Sequence, residues 1–294
     1  EQLAIMRLRT AAESSERLFK APLVVTTSGG KDSAVCLRLA EKAGINFEVM
    51  HSHTTIDAPE TVYFIRREFK RLEDKGIKCT INYPHYKGER MTMWKLIPQK
   101  LMPPTRLVRY CCSVLKETGG RGRYITTGVR WAESTARKKN RGIFEKLASD
   151  PKKKIILNND NEGDRKLFET CIRQHKAVCN PIIDWEDDDV WEYIEAEKIP
   201  INPLYNCGFS RVGCIGCPMA GTAIRQKEFA LYPRYERAYI RAFDRMLEER
   251  RHREKMQGSW REGTTGRDIF HWWMEDGVLP GQMEFDDLTE EEDE

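Results

Sequence analysis

The sequence has no apolar stretch close to the roughly 20 residues that a membrane-spanning helix needs. Its first residues also lack the signal-peptide pattern of a basic segment followed by an apolar one. We therefore expect a cytoplasmic protein without a membrane partner. Global disorder is excluded as well, because a chain with 40% hydrophobic and 10% aromatic residues can bury a normal core.

Basic residues are absent from the last eleven positions, 284–294, which hold eight acidic residues. The whole chain has 49 basic and 46 acidic residues, but without this tail the counts are 49 and 38, a net charge of +11. A basic body favours anionic partners, and nucleotides, DNA and RNA are all candidates. The acidic tail either folds back on this body or recruits a protein partner.

The nine cysteines are an odd number, and several are clustered along the sequence. Without an export signal we expect a reducing compartment, where clustered cysteines bind metal more often than they form disulfides. Cys214 and Cys217 form a C-x-x-C turn that can present two thiolates to one metal centre. Four thiolates suit either an iron–sulfur cluster or a tetrahedral zinc ion. The further ligand candidates are Cys111, Cys112 and Cys207. The cysteines expected in the core are Cys36, Cys79, Cys171 and Cys179.

Apolar segments typical of strands alternate with helical segments of ten or more residues. The strand candidates are 23–27, 47–51, 78–83 and 124–129. This alternation predicts an α/β fold with a doubly wound parallel sheet. From about Asn206 a cysteine-rich loop leads into helices rich in Arg, Glu and Tyr. We therefore predict an α/β domain over 1–205, followed over 206–294 by the cysteine loop, the C-terminal helices and the acidic tail.

A tight glycine-containing loop joins the first strand candidate to a helix. Glycines allow backbone N–H groups to face an anion, and the helix N-terminus adds partial positive charge. The lysine supplies a mobile cation, the serines can donate to phosphate oxygens, and the aspartate indicates a bridging Mg²⁺, because it would repel bare phosphate. The spacing differs from that of the Walker loop. The loop residues are Ser28, Gly29, Gly30, Lys31, Asp32 and Ser33.

This loop resembles the pyrophosphate loop (PP-loop) of the adenine nucleotide α-hydrolase superfamily, the N-type ATP pyrophosphatases. Within that superfamily the chain most resembles the phosphoadenosine phosphosulfate (PAPS) reductase family, over about residues 20–220. Several separated motifs carry the resemblance in the family's order. After the loop they are the paired cysteines in 110–116, a Gly-x-Arg loop in 128–134 with Arg137, the segments 181–193 and 200–205, and the C-x-x-C in 213–217.

The resemblance implies that the loop holds the β and γ phosphates of ATP as a leaving group while a nucleophile attacks the α phosphate. It also implies nucleotide-binding roles for Gly128, Arg130 and Arg137, with Arg130 facing phosphate or sulfate. Planar guanidinium groups suit bidentate phosphate contacts. The family's paired cysteines and C-x-x-C together hold a [4Fe–4S] cluster, so the resemblance favours iron–sulfur over zinc. Whether Cys111 or Cys207 completes the ligand set stays open.

Two departures separate the chain from PAPS reductases that release sulfite. Such reductases end in a motif with a nucleophilic cysteine, and this chain has no cysteine after Cys217. They usually carry an altered phosphate loop, whereas Lys31 and Asp32 are intact here, as expected for ATP–Mg. The prediction is therefore an enzyme that cleaves ATP at the α phosphate, with Lys31, Asp32 and Arg130 as catalytic residues.

The predicted enzyme adenylates an acceptor, releases pyrophosphate and transfers sulfur from a donor to an acceptor such as DNA or RNA. One alternative is a PAPS or adenylyl-sulfate reductase that borrows a thiol from elsewhere. Another is a non-catalytic nucleotide-binding subunit of a nucleic-acid-directed complex.

Two further groups of side chains have less defined roles. One group follows the second strand candidate, where the family usually has Asp-Thr-Gly. Nucleotide contact and plain loop polarity explain it equally well. It consists of His51, His53 and Asp57. Three aromatic residues in or beside one helical stretch are expected in the core rather than stacked on a base. They are Trp185, Trp191 and Tyr193.

Overall fold

The computed structural model describes residues 1–147, 154–164, 176–253, 260 and 263–275. The chain divides into two compact units. The first unit consists of Glu1–His53, Asp57–Tyr83 and Glu117–Gly213. The second unit consists of Thr54–Ile56, Pro84–Lys116 and the described residues from Cys214 onward. The predicted domain boundary after residue 205 stays a prediction. Within the described ranges, no helix combines the length and the apolarity that a bilayer crossing requires.

All four strand candidates are strands, and the alternation with helices is confirmed. The strands are β1 (Leu23–Thr26), β2 (Phe47–Ser52), β3 (Cys79–Asn82), β4 (His85–Tyr86), β5 (Glu89–Arg90), β6 (Tyr124–Thr126), β7 (Phe144–Leu147), β8 (Ile155–Leu157) and β9 (Lys176–Cys179). The helices of the described residues are α1 (Gln2–Phe19), α2 (Lys31–Ala43), α3 (Pro59–Glu73), α4 (Met93–Lys100), α5 (Thr135–Asn140), α6 (Asp187–Ala196), α7 (Thr222–Leu231), α8 (Pro233–His252) and α9 (Gly266–Glu275).

Seven strands of the first unit form one sheet, in the order β3-β2-β1-β6-β9-β7-β8. The first five strands are parallel, whereas β7 runs antiparallel to both β9 and β8. Parallel neighbours need crossover connections, and α2 and α3 provide them from β1 to β2 and from β2 to β3. The predicted doubly wound α/β fold is confirmed. The antiparallel edge was not predicted.

The core of the first unit lies against this sheet. Leu23, Val24 and Val25 of β1 are at most 3% exposed, so both faces of the strand are covered. Such continuous apolar runs are typical of parallel strands with packing on both sides. Cys36 and Cys179 are fully buried, which confirms the core expectation for both, and Cys79 is partly buried. Cys171 lies outside the described residues.

The sheet has its switch point at β1, which pairs with β2 on one side and with β6 on the other. In open α/β sheets, ligands bind beyond the carboxyl ends of the strands at such a point. The phosphate loop follows β1 and the Gly-x-Arg loop follows β6. The topology therefore directs both predicted nucleotide-binding loops to one place.

The second unit is mainly helical. Its longest helix, α8, packs against α4, α7 and α9, and β4 and β5 form a separate two-stranded hairpin. The ring centroids of Tyr239 and Trp273 are 4.8 Å apart. The buried aromatic side chains of these helices are Phe229, Tyr239, Phe243, Phe270 and Trp273. The predicted C-terminal helical region is present.

Candidate nucleotide and metal sites

The phosphate loop follows β1, and its last three residues, Lys31, Asp32 and Ser33, form the first turn of α2 after Gly30. Gly29 has a φ of +77°, and a Cβ there would lie 2.9 Å from Thr61 Cγ2, so the position requires glycine. Ser33 Oγ donates to the Gly30 carbonyl over 2.8 Å, and the Ser28 N–H donates to Ser33 Oγ over 3.3 Å. These bonds hold the loop over the first turn of α2, where the helix carries partial positive charge.

Lys31 is the first residue of α2, and its side chain is buried. Its Nζ donates to Asp187 Oδ1 over 2.8 Å and to Asp32 Oδ1 over 3.2 Å. Its backbone N–H donates to the Tyr205 hydroxyl over 2.9 Å. The cation of the loop is therefore held between two carboxylates.

Arg130 follows β6 and is only 2% exposed. Its Nε donates to Asp32 Oδ1 over 2.7 Å and its Nη2 donates to Asp187 Oδ1 over 2.5 Å. Burial opposes the charged form, but Asp32 and Asp187 outweigh burial and raise the pKa of Arg130. A Cβ on Gly128 would lie 2.8 Å from the backbone carbonyl carbon of Asp32. Glycine thus permits the close approach that brings Arg130 to α2.

Lys31, Asp32, Arg130 and Asp187 form a network of ion pairs that we call the charge quartet. The hydrogen bond from Lys31, supported by the one from Arg130, lowers the pKa of Asp187. The Asp187 side chain is 69% exposed, whereas the side chains of Lys31 and Arg130 are 8% and 2% exposed. Lys and Arg both bind phosphate as well as carboxylate. An entering phosphate can therefore displace Asp187 from both cations.

Arg137, the third predicted phosphate-binding cation, lies in α5 and forms an ion pair with Glu133. Partial burial lowers the pKa of Arg137, and the positive charges of Arg141 and Arg211 lower it further. Arg137 also interacts electrostatically with Asp32 of the charge quartet. Several cations are therefore close enough to repel one another, and a bound anion would relieve this repulsion.

Three side chains at this site were missed by the sequence reasoning. Asp187 stands in an acidic run at the start of α6, where the pattern indicates only a helix N-terminus. Tyr205 lies in the segment 200–205, which resembles the family, but the sequence predicted no role for this residue. Trp191 was expected in the core, and this was wrong. It is 36% exposed, its ring contacts the Tyr205 ring at 5.3 Å, and Lys31 Nζ lies 5.9 Å from its centroid.

The second unit contains four of the five candidate metal-binding cysteines. Cys111 is hydrogen-bonded to Cys112, and its thiol interacts electrostatically with Cys214 and Cys217. That hydrogen bond and then burial raise the pKa of Cys111. Cys112 begins a helical turn, which supplies the curved backbone that adjacent cysteines need to face one site. We call these four residues the thiol cluster. Cys207 is exposed and belongs to the first unit.

The C-x-x-C segment is a turn fixed by its backbone. The Cys217 N–H donates to the Cys214 carbonyl over 3.2 Å, and the Gly216 N–H donates to Glu228 Oε2 over 2.7 Å. Gly216 has a φ of +69°, and a Cβ there would lie 2.5 Å from Phe229 Cζ. Only glycine fits this position, so the packing of α7 determines where the two thiols lie.

Comparisons with known proteins show which family this chain resembles along most of its length. Residues 22–220 match the family model described as the phosphoadenosine phosphosulfate reductase domain. An uncharacterized protein of Methanocaldococcus jannaschii is 30% identical over 243 residues, which cover 80% of this chain and 50% of that protein. This chain therefore spans half the length of that relative.

Two relatives have named activities. An adenosine 5'-phosphosulfate reductase of Oceanobacillus iheyensis is 24% identical over 217 residues, covering 68% of this chain and 72% of the reductase. Sulfate adenylyltransferase subunit 2 of a Bradyrhizobium species is 29% identical over 220 residues, covering 70% of this chain and 61% of that subunit. Both named relatives are enzymes.

Proposed function

This chain belongs to the phosphoadenosine phosphosulfate reductase domain family, a family of nucleotide-binding enzymes, and from that premise we propose that it binds ATP–Mg and cleaves ATP at the α phosphate. The charge quartet is the observation that carries this proposal. Two buried cations converge there on one displaceable carboxylate, at the N-terminus of α2. The similarity to a protein named sulfate adenylyltransferase supports adenylyl transfer as the reaction class.

In this proposal the loop binds the pyrophosphate part of ATP. Backbone N–H groups of Gly29 and Gly30, together with the dipole of α2, interact with the phosphate oxygens. The hydroxyls of Ser28 and Ser33 donate to the same oxygens. Lys31 leaves Asp187 and neutralises the charge that develops on the departing pyrophosphate.

The arginines and Asp32 act at the α phosphate. Arg130 and Arg137 stabilise the charge that builds up when an acceptor oxygen attacks the α phosphorus and the bond to pyrophosphate breaks. Asp32 holds Mg²⁺, a hard cation that prefers carboxylate, water and phosphate oxygens. The products are an adenylated acceptor and pyrophosphate. We propose that a sulfide-level sulfur from a donor then attacks the adenylated centre of an acceptor such as nucleic acid, and that AMP leaves with the acceptor oxygen, so that a bond to sulfur replaces the bond to oxygen without a change of oxidation state.

The thiol cluster fits an iron–sulfur cofactor. Its donor set is four cysteine thiols, the ligands that a [4Fe–4S] cluster requires. The paired cysteines and the C-x-x-C are also the motifs that hold a [4Fe–4S] cluster in the family that this sequence resembles, which supports an iron–sulfur cofactor over zinc. We therefore propose Cys111, Cys112, Cys214 and Cys217 as the ligands. The bound cluster would supply a redox-active iron centre.

The experiment is a pyrophosphate-release assay on anaerobically purified protein. ATP–Mg is supplied with and without DNA or RNA, and PAPS and adenylyl sulfate are supplied separately with thioredoxin. Release of pyrophosphate from ATP, stimulated by a nucleic acid, is the expected result. Sulfite release from a sulfonucleotide without ATP cleavage would instead establish a reductase. ATP binding without cleavage in every combination would establish a nucleotide-binding subunit.

Matched variants connect this activity to the charge quartet. Lys31→Met and Asp32→Asn are expected to lower kcat at least 100-fold, because each removes a charge that acts in the transition state. Lys138→Ala is the control, because this exposed lysine of α5 lies outside the quartet. Equal losses in Lys31→Met and Lys138→Ala would show that general basicity, rather than the quartet, supports the reaction.

A further inference from the structure

A third group of chemically active side chains lies at the carboxyl end of β2. His51, His53 and Asp57 each place one ligand atom within 4.8 Å of those of the other two. His51 and Asp57 are buried, at 4% and 7% exposure, and His53 is partly buried. Neither the phosphate loop nor the thiol cluster includes any of these residues.

A hydrogen bond determines which ring nitrogen of His51 carries the hydrogen. Its Nδ1 lies 2.9 Å from the carbonyl oxygen of Thr27. A carbonyl can only accept, so Nδ1 carries the hydrogen, and in the neutral ring Nε2 is then the nitrogen that could coordinate a metal. Metal-binding histidines typically donate their other ring N–H to a carbonyl or carboxylate in this way. The His51 contact is therefore an independent sign of a ligand site.

His53 is also held in position. Its backbone N–H donates to the Asn82 carbonyl over 2.9 Å, and its ring contacts the Tyr83 ring edge-on at 5.7 Å between centroids. Two imidazoles are thus presented at a strand end whose register with β3 is fixed, and Asp57 reaches them from the segment that follows the strand.

We propose that His51, His53 and Asp57 bind one divalent first-row transition metal ion. Two imidazole nitrogens and one carboxylate oxygen are the donor set that suits Mn²⁺, Fe²⁺ and Zn²⁺, and it leaves coordination positions open for water or a further ligand. Metal bonds of about 2.1 Å place neighbouring ligand atoms about 3 Å apart. Small side-chain rotations are enough to bring the three ligand atoms from their present separations to that distance. The proposal is independent of ATP cleavage.

The test is a titration of the full chain with Mn²⁺ in the absence of nucleotide. The EPR signal of the free ion measures how much Mn²⁺ remains unbound. Mn²⁺ is chosen because it prefers nitrogen and oxygen ligands, which separates this site from the thiol cluster. One Mn²⁺ per chain is expected. Asp57→Asn, which preserves the shape of the side chain, and His53→Ala are each expected to weaken binding at least about 10- to 100-fold.

Two control variants make the result decisive. His85→Ala removes an exposed histidine of the second unit and is expected to leave Mn²⁺ affinity unchanged. Asp32→Asn is also expected to retain the ion, because no nucleotide is present to bring a metal to the phosphate loop. Loss of binding in Asp32→Asn with retention in His53→Ala would overturn the proposal, and so would the absence of stoichiometric binding. Circular dichroism of each variant separates lost ligation from lost folding.

Discussion

Replacing Asp187 by asparagine should tighten the binding of ATP–Mg or pyrophosphate. Asp187 Oδ1 lies 2.8 Å from Lys31 Nζ and 2.5 Å from Arg130 Nη2, so it occupies the two cations that the phosphates need. In the wild-type protein the phosphate must first displace this carboxylate. The asparagine has no charge, and the cations are then available to the phosphate without that cost.

The magnitude follows from exposure. Ion pairs with a solvent-exposed partner contribute about 0.2–1 kcal/mol each, and the burial of both cations places these two in the upper half of that range. Breaking them therefore costs about 1–2 kcal/mol in total. Since 1.4 kcal/mol corresponds to a tenfold change in Kd, Asp187→Asn should bind phosphate about 5- to 30-fold more tightly.

Isothermal titration calorimetry with pyrophosphate and with ATP–Mg measures the effect. Asp188→Asn is the matched control, because it removes the same charge from the next residue of α6 and Asp188 is exposed. A similar gain in both variants would mean that general repulsion, rather than displacement, is relieved. Weaker binding in Asp187→Asn would refute the reasoning, since the carboxylate would then assist the ligand.

Three other variants test the surrounding structure. Asp184→Asn should destabilise the protein by about 1–2 kcal/mol at pH 7, measured by thermal unfolding, because buried Arg7 loses a carboxylate partner. Burial alone would raise the pKa of Asp184, but Arg7 lowers it, so this stabilisation is complete above the unfolded pKa and is lost as pH falls through the lower folded pKa. The difference from wild type should therefore shrink below about pH 4, and a constant difference would contradict the ion-pair explanation. Gly216→Ala should lower stability by about 2–4 kcal/mol and reduce iron content, whereas Gly213→Ala, whose Cβ would make only an ordinary contact of 3.7 Å with Arg211 Nη2, should do neither. Cys207→Ser should retain full iron content in anaerobic preparations while serine at any thiol-cluster position reduces it, and iron loss in Cys207→Ser would return that residue to the ligand set.

The local part of the candidate nucleotide site was predictable because its residues are contiguous. A strand, a glycine-containing turn and a helix follow one another within about twenty residues, and each is encoded by its own short pattern. Gly44 shows the same rule at the other end of α2, where its φ of +65° ends the helix as glycine allows. The C-x-x-C turn is equally local.

Contacts across long stretches of chain were not predictable from these patterns. Lys31 and Asp187 are 156 residues apart, and only the crossover to β9 and α6 brings them together. Trp191 shows the same limit, because an aromatic residue on a helix is equally compatible with the core and with an exposed site rim. The assignment of Cys207 to the first unit and of the thiol cluster to the second is likewise not apparent from spacing along the chain.

The sequence by itself determined the alternation of strands and helices, the glycine-containing loop between β1 and α2 and the C-x-x-C turn, because these features depend on neighbouring residues. The tertiary structure decided which distant groups complete them. It brings Asp187 to the loop cations, assembles four thiols in the second unit and gathers two histidines with a buried aspartate. Hydrophobic packing and strand register fix these distances, and neither is expressed in any short stretch of sequence.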